Sequence, residues 1–178
     1  VKLLSLYDHV FVGGALANDI FKARGLNVGT SLVSEVTLPA SIVHHERIIV
    51  PIDVVVKNET GSRVVLSEDV KDNDIILDAG PETVRMLAPF IKEAKTILWN
   101  GPFGDFEHGF SDATNDTARL VGASSAYSII GGGDTVSALS KLHIEDQFDF
   151  ISTAGGAMLT FLAEGTLAGI EAVLKGKM

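Results

Sequence analysis

The chain has 178 residues, 46% of them apolar, and 14 basic side chains against 23 acidic ones leave a formal charge of −9. A chain of this size buries roughly 70% of its unfolded surface, and this composition excludes disorder. The acidity argues against a nucleic-acid partner held mainly through phosphate contacts, because the net field repels a polyanion.

The chain opens on Val1-Lys2-Leu3-Leu4-Ser5-Leu6-Tyr7, an apolar helical pattern with no initiator Met and no capping residue before it, which predicts a piece of a longer protein. A strand is expected at His9–Gly13, then a helix over Ala15–Arg24 stopped by Gly25. Val43–Arg47 reads as an exposed helix end. Ile48–Val56 is a second apolar run, followed by a hairpin of Val54–Lys57 and Arg63–Leu66 about a turn at Asn58–Ser62. Strands at Ile75–Asp78, Thr96–Asn100, Tyr127–Gly131 and Phe148–Thr153 alternate with helices over Pro81–Glu93, Ser111–Val121, Asp134–Lys141 and Ala157–Glu164. Pro81 suits a first helical position and Gly122 a helix stop. The runs are near-continuous rather than alternating, as in strands buried on both faces. The expected class is α/β, a doubly wound, mostly parallel, Rossmann-like sheet with a small β-hairpin excursion, in one domain over residues 1–178.

Without cysteine there are no disulfides, thiolate metal sites or thiol catalysis. No apolar run approaches the roughly 18 residues of a membrane span, and no signal peptide is recognisable, so a cytoplasmic protein without a membrane partner is expected.

Ligands of open α/β sheets bind at the carboxyl ends of strands. Here those ends carry Gly13-Gly14, Gly101-Pro102, Gly131-Gly132-Gly133 and Gly155-Gly156. Glycines let backbone N–H groups approach an oxyanion, and a helix N-terminus adds a favourable dipole. Several such ends suggest a ligand with more than one phosphate. The Walker, dinucleotide and nucleophile-elbow signatures are all absent. In Ile129–Thr135, Asp134 reads either as a helix N-cap or as a Mg²⁺ ligand beside phosphates, with Thr135 as a hydroxyl donor. In Leu98–Glu107, Asn100 can donate to a phosphate and Glu107 can accept from ribose hydroxyls; the alternative is a plain turn. Trp99 reads as core. Histidines 9, 44, 45, 108 and 143 show no metal-ligand spacing and no acid–base partner, and read as surface or core residues.

Phe11–Ala17, Gly29–Leu32, Leu77–Pro81, Trp99–Glu107, Gly131–Thr135 and Ser152–Ala157 occur in this order in phosphoglycerate kinases, and the chain resembles the C-terminal, nucleotide-binding domain of that family. The resemblance implies an adenine slot lined by Gly13, Gly14 and Leu77, with Leu32 a lesser member. It places Asn100, Gly101 and Pro102 along ribose and phosphates, Glu107 on the ribose, and Gly131, Gly132, Gly133 and Thr135 around the phosphates. Asp134 is implied as the Mg²⁺ ligand, and the amides of Gly132, Gly133, Gly155 and Gly156 as the catalytic groups facing the transferred phosphoryl. The implied ligands are ATP or ADP with Mg²⁺. 3-Phosphoglycerate is implied on a separate N-terminal domain of a monomeric parent.

Three positions depart from the family pattern. Ile76 stands for a usual glycine, Asp105 for a usually apolar residue beside the base, and Ala15 for the third glycine of GGG; all three bear on the shape of the base site and on nucleoside preference. The family's lysine-bearing GGAKxxDK segment and its N-terminal domain are not in the chain. The fragment is therefore expected to bind Mg-nucleotide weakly and to lack kinase activity. The alternatives are a stand-alone, non-catalytic nucleotide-binding module and, lacking the fingerprint, a dinucleotide oxidoreductase.

Overall fold

The computed structural model describes residues 2–176. A short helix α1 (Lys2–Leu6) leads into strand β1 (Val10–Phe11) and helix α2 (Gly14–Ala23). Helix α3 (Ala40–Val43) precedes strands β2 (Ile48–Ile49), β3 (Asp53–Asn58), β4 (Gly61–Leu66) and β5 (Ile75–Ala79). Then follow α4 (Pro81–Glu93), β6 (Thr96–Asn100), α5 (Asp112–Gly122), β7 (Tyr127–Gly131) and α6 (Gly133–Leu142). Strand β8 (Phe150–Ser152) and helices α7 (Gly155–Glu164) and α8 (Ala168–Lys175) complete the described chain. Single 3-10 turns sit at Ser67–Asp69, Phe106–His108 and Glu145–Gln147.

The α/β class and the parallel sheet agree with the sequence. Strands β6, β7 and β8 form a parallel sheet with β7 central, and β1 pairs with β2, also parallel. Two details differ. The run Ile48–Val56 is two strands, because Pro51 between them has no N–H for a ladder and fixes its own φ. The hairpin is larger than an excursion: β5 adds to it antiparallel to β3, giving the order β4-β3-β5. Only the last two residues of β5 are buried, so it is not the two-faced core strand its apolar run suggests.

The hairpin turn follows from local chemistry. Asn58 pairs with Gly61 across Glu59-Thr60. The Asn58 side-chain carbonyl accepts from the Thr60 amide at 2.9 Å and from its hydroxyl at 2.7 Å, while Gly61 takes a φ of +120° open to glycine alone. Beneath it, the fully buried Asp74 accepts from Arg63 Nη2 at 2.6 Å, Asn58 Nδ2 at 2.7 Å and the Lys71 amide at 3.0 Å. Burial alone would raise the Asp74 pKa. The Lys71 amide and the Arg63 and Asn58 side chains outweigh it and hold the carboxyl below its ordinary value.

Helices α4 and α5 and the parallel sheet enclose the main core of Leu87, Trp99, Phe103, Val121, Ile130 and Leu139. Ile130 and Leu139 are wholly buried, each contributing roughly 1.5–3 kcal/mol by leaving water. Helix α2 lays Ala17 and Phe21 on Val54 and Val56 of the hairpin sheet, a second cluster. Helix α4 begins with Pro81 at its start and is capped from a distance. The buried Asp53 of β3 accepts from the Glu82 amide at 3.0 Å, the Thr83 amide at 2.7 Å and the Thr83 hydroxyl at 2.6 Å. Gly80 makes this possible, since a Cβ there would overlap the Asp53 carboxylate.

Candidate functional site

A cavity of about 340 Å³ opens between the N-terminal end of α2, strand β5 and the loop after β6. Its walls are mostly apolar, from Ala15, Phe21, Leu32, Ile76, Leu77 and Phe103 among others. Mostly apolar and polar at only a few points, such a cavity has the make-up of a small-molecule site. Among the described residues, three with polar side chains line it: Asn18, Asp78 and Asp105.

Asp78, the one acid of β5, is 3% exposed. Its oxygens accept from the Ala79 amide at 2.9 Å and, in the first turn of α5, from the Ala113 amide at 3.2 Å. Burial pushes its pKa up to about 7; the two amides pull the other way, and nearby Asp112 adds repulsion. Gly104 lies so close that a Cβ would overlap both this carboxylate and the Phe110 carbonyl. The Asp105 amide donates to the Leu77 carbonyl at 2.7 Å, so the loop after β6 is tied to β5 by backbone. Asn18 donates from Nδ2 to the Leu32 carbonyl at 3.0 Å, and its Oδ1 is buried with no partner among the described residues.

Beyond the slot, the carboxyl ends of β6, β7 and β8 meet. The Gly101 amide donates to the buried Thr135 hydroxyl at 2.9 Å, linking the β6 loop to the first turn of α6. A Cβ on Gly155 would overlap Asn100 Oδ1 and the Gly132 backbone, so these turns touch only because Gly155 has none. Gly101 and Gly132 have φ of +94° and +95°, conformations that other residues rarely adopt. Helices α4 and α5 have strand carboxylates at their N-termini. Among the described residues no side chain caps α2, α6 or α7, whose first-turn N–H groups stay available to an anion.

The structure brings Gly14, Leu32, Leu77 and Pro102 together in the slot; Gly13 caps α2 at its edge, over Phe11 and Phe103. Asn100, Gly101, Gly131, Gly132, Thr135 and Gly155 converge at the strand ends, with Gly133 and Gly156 exposed in the first turns of α6 and α7. Leu32 is 74% exposed, a rim rather than a wall. Glu107 is exposed in the 3-10 turn Phe106–His108. Asp134 is not an N-cap: Gly132 is, and Asp134 lies in the first turn of α6, exposed, without a side-chain hydrogen bond among the described residues. Trp99 is core, as expected, and its Nε1 donates to the Gly101 carbonyl at 2.7 Å.

One reading needs correction. His108 has an acid partner: its Nδ1 lies 2.8 and 2.9 Å from the two oxygens of Asp105, which raises the His108 pKa. Asp105-x-x-His108 is an (i, i+3) spacing that a 3-10 turn eclipses, so the signal was present. Asp53 and Asp78 carry no such signal, because their helices lie 29 or more residues downstream.

No group of three or more His, Asp or Glu among the described residues could by itself hold a metal ion. Asp134 stands alone, which fits a Mg²⁺ carried mostly by phosphate oxygens with one carboxylate added. No single described helix is long and apolar enough to cross a membrane.

The fold and these turns define a doubly wound α/β domain with glycine-lined strand ends and open helix N-termini beside an apolar slot. Residues 1–165 match the family model described as phosphoglycerate kinase. The phosphoglycerate kinase of Francisella philomiragia is 41% identical over 99% of this chain and 48% of its own length. That of Coxiella burnetii is 40% identical over 96% of the chain and 46% of its own length. The solved structure of the Coxiella enzyme superposes with a TM-score of 0.86 at 38% identity, covering 98% of this chain and 48% of that one. The Pyrococcus horikoshii enzyme gives 0.79 at 25% identity, covering 98% and 47%. The chain belongs to the phosphoglycerate kinase family, and it spans about half the length of the relatives it matches.

Proposed function

We propose that the chain is the Mg-nucleotide-binding half of a phosphotransferase that moves a phosphoryl group between ATP and the carboxylate of 3-phosphoglycerate, giving ADP and 1,3-bisphosphoglycerate. The observation that carries this is the contrast among helix ends. Buried carboxylates from strands occupy the N-termini of α4 and α5, whereas α2, α6 and α7 are left open around glycine turns.

In this reading the base enters the slot beside Leu77, Gly14 and Pro102, with Leu32 at the rim. The phosphates run along Asn100 and Gly101 toward the first turns of α6 and α7. Glu107 accepts from the ribose hydroxyls. The amides of Gly132, Gly133, Gly155 and Gly156 are fixed in place before the reaction and stabilise the charge spread over the transferring group, the main task of a phosphoryl-transfer site. Asp134 holds Mg²⁺, which when bound neutralises phosphate charge. Gly155 keeps the two turns close enough for amides of both to face one phosphate.

Half of a two-domain enzyme supplies only one substrate's site, so the chain alone is expected to bind Mg-ADP weakly and to turn over nothing. Calorimetric titration with Mg-ADP tests the first point: an absence of heat up to millimolar nucleotide overturns the reading. A coupled ATP-consumption assay with 3-phosphoglycerate on the longer protein tests the second. Asp134→Ala is expected to cut turnover at least tenfold, and unchanged turnover refutes the assigned role.

A further inference from the structure

The slot's polar side chains differ in what they can still bind. Asn18 is 3% exposed: its amide nitrogen gives one proton to the Leu32 carbonyl, and its oxygen is sealed from solvent. Asp78, equally buried, accepts from the amides of Ala79 and Ala113 with one oxygen each. Asp105 remains, its side chain 38% exposed and, among the described residues, engaged only by His108. That imidazole is 75% exposed, and a pair so open to water holds weakly, so a ligand can take its place. No lysine or arginine among the described residues lines the cavity.

We infer that Asp105 is the residue that reads the edge of the nucleobase, and that it favours guanine over adenine. This rests on the Mg-nucleotide reading above and extends its nucleotides from ATP and ADP to GTP and GDP. A carboxylate is an acceptor at both oxygens and a donor at neither. Guanine offers two adjacent donors, N1–H and the N2 amino group, which match the two oxygens as the two-pronged contacts of a carboxylate require. Adenine offers one amino group flanked by ring nitrogens that are themselves acceptors. Against a carboxylate, one of those nitrogens faces an oxygen and cancels much of the single hydrogen bond. An amide reverses this logic: asparagine presents one donor and one acceptor, the complement of adenine's edge.

The placement of Asp105 does not depend on its carboxylate. Its amide donates to the Leu77 carbonyl, and its own carbonyl accepts from His108 and Phe110 at 3.1 Å each. Substitution therefore leaves the loop in place.

The test is a titration of the chain and of its Asp105→Leu and Asp105→Asn variants with Mg-GDP and Mg-ADP at one pH, to millimolar nucleotide. Calorimetry provides one readout. A second is the emission of Trp99, the sole tryptophan, whose ring centroid is 5.6 Å from that of Phe103 in the slot wall. Circular dichroism and urea midpoints show that the variants remain folded. The unsubstituted chain is expected to bind GDP about tenfold tighter than ADP, the worth of one charge-assisted hydrogen bond. Asp105→Leu brings the ratio to within about twofold, and Asp105→Asn inverts it. A ratio that is the same in all three proteins overturns the inference while leaving the nucleotide reading intact. No binding of either nucleotide overturns both.

Discussion

Replacing Asp78 by asparagine tests whether this chain keeps a costly acid at the wall of its slot. Asp78 is 3% exposed, and its folded pKa of about 7 compares with an ordinary value of 3.8. Below pH 4 the side chain is protonated both folded and unfolded and contributes no pH dependence. As pH rises, the unfolded chain gives up its proton near 4 while the folded chain keeps it to about 7, so the unfolded state binds fewer protons and stability falls. The shift from 3.8 to about 7 is roughly 3 pKa units. At about 1.4 kcal/mol per unit, this one group costs on the order of 4 kcal/mol between pH 4 and 7, and nothing further above that. Asparagine cannot ionise, although its amide group turns a donor toward one of the two amides and costs about 1–3 kcal/mol at every pH. Urea unfolding of both proteins at pH 4, 5, 6, 7 and 8 reads the difference, in which every other titrating group cancels. Asp78→Asn is expected to be the less stable protein at pH 4 and to gain on the unsubstituted chain with each unit up to 7. Parallel stability curves refute the assignment of a buried, neutralised acid.

Asp53→Ala removes the acceptor for two first-turn amides and a hydroxyl of α4, and is expected to lower unfolding stability by about 2–4 kcal/mol in urea at neutral pH. Asp74 behaves oppositely to Asp78: its folded pKa lies below its ordinary 3.8, so its stabilisation is present above that value and is lost as pH falls through the folded pKa. Asp74→Ala should accordingly reduce the stability lost on acidification below pH 4, measured by urea midpoints. Gly155→Ala forces the first turn of α7 away from Asn100 and Gly132. Overpacking of this kind costs about 1–3 kcal/mol, and the variant should also bind Mg-ADP at least several-fold more weakly by calorimetry.

Much of the site is legible in the residues because it is local. The three glycines at Gly131–Gly133 announce a turn that brings backbone close to something, and the structure has Gly132 at a φ of +95° leading into α6. Asn58 and Gly61 likewise specify their own hairpin. What is illegible depends on contacts between distant segments. Asp53 reads as one acid in an apolar run, and only the packing of β3 beside the start of α4 makes it a cap. The Ile75–Asp78 run has the composition of a parallel core strand, yet it pairs antiparallel with β3, because an apolar run does not encode which edge it will join. Ile76 and Asp105 stand out in the sequence as departures, and both line the slot. That Asp105 is the open acid and Asp78 the sealed one could not be read from their spacing.

By itself the sequence determined the α/β class, the alternation of most strands and helices, the glycine turns at strand ends and the family. Each of these rests on hydrophobic period, backbone permissiveness or short contiguous motifs, properties that act within about ten residues of chain. Only the tertiary structure decided which helix N-termini are filled and which are open, and which slot carboxylate stays exposed. Those outcomes depend on desolvation and on hydrogen bonds between segments 29 to 35 residues apart, and burial exists only once the layers have packed.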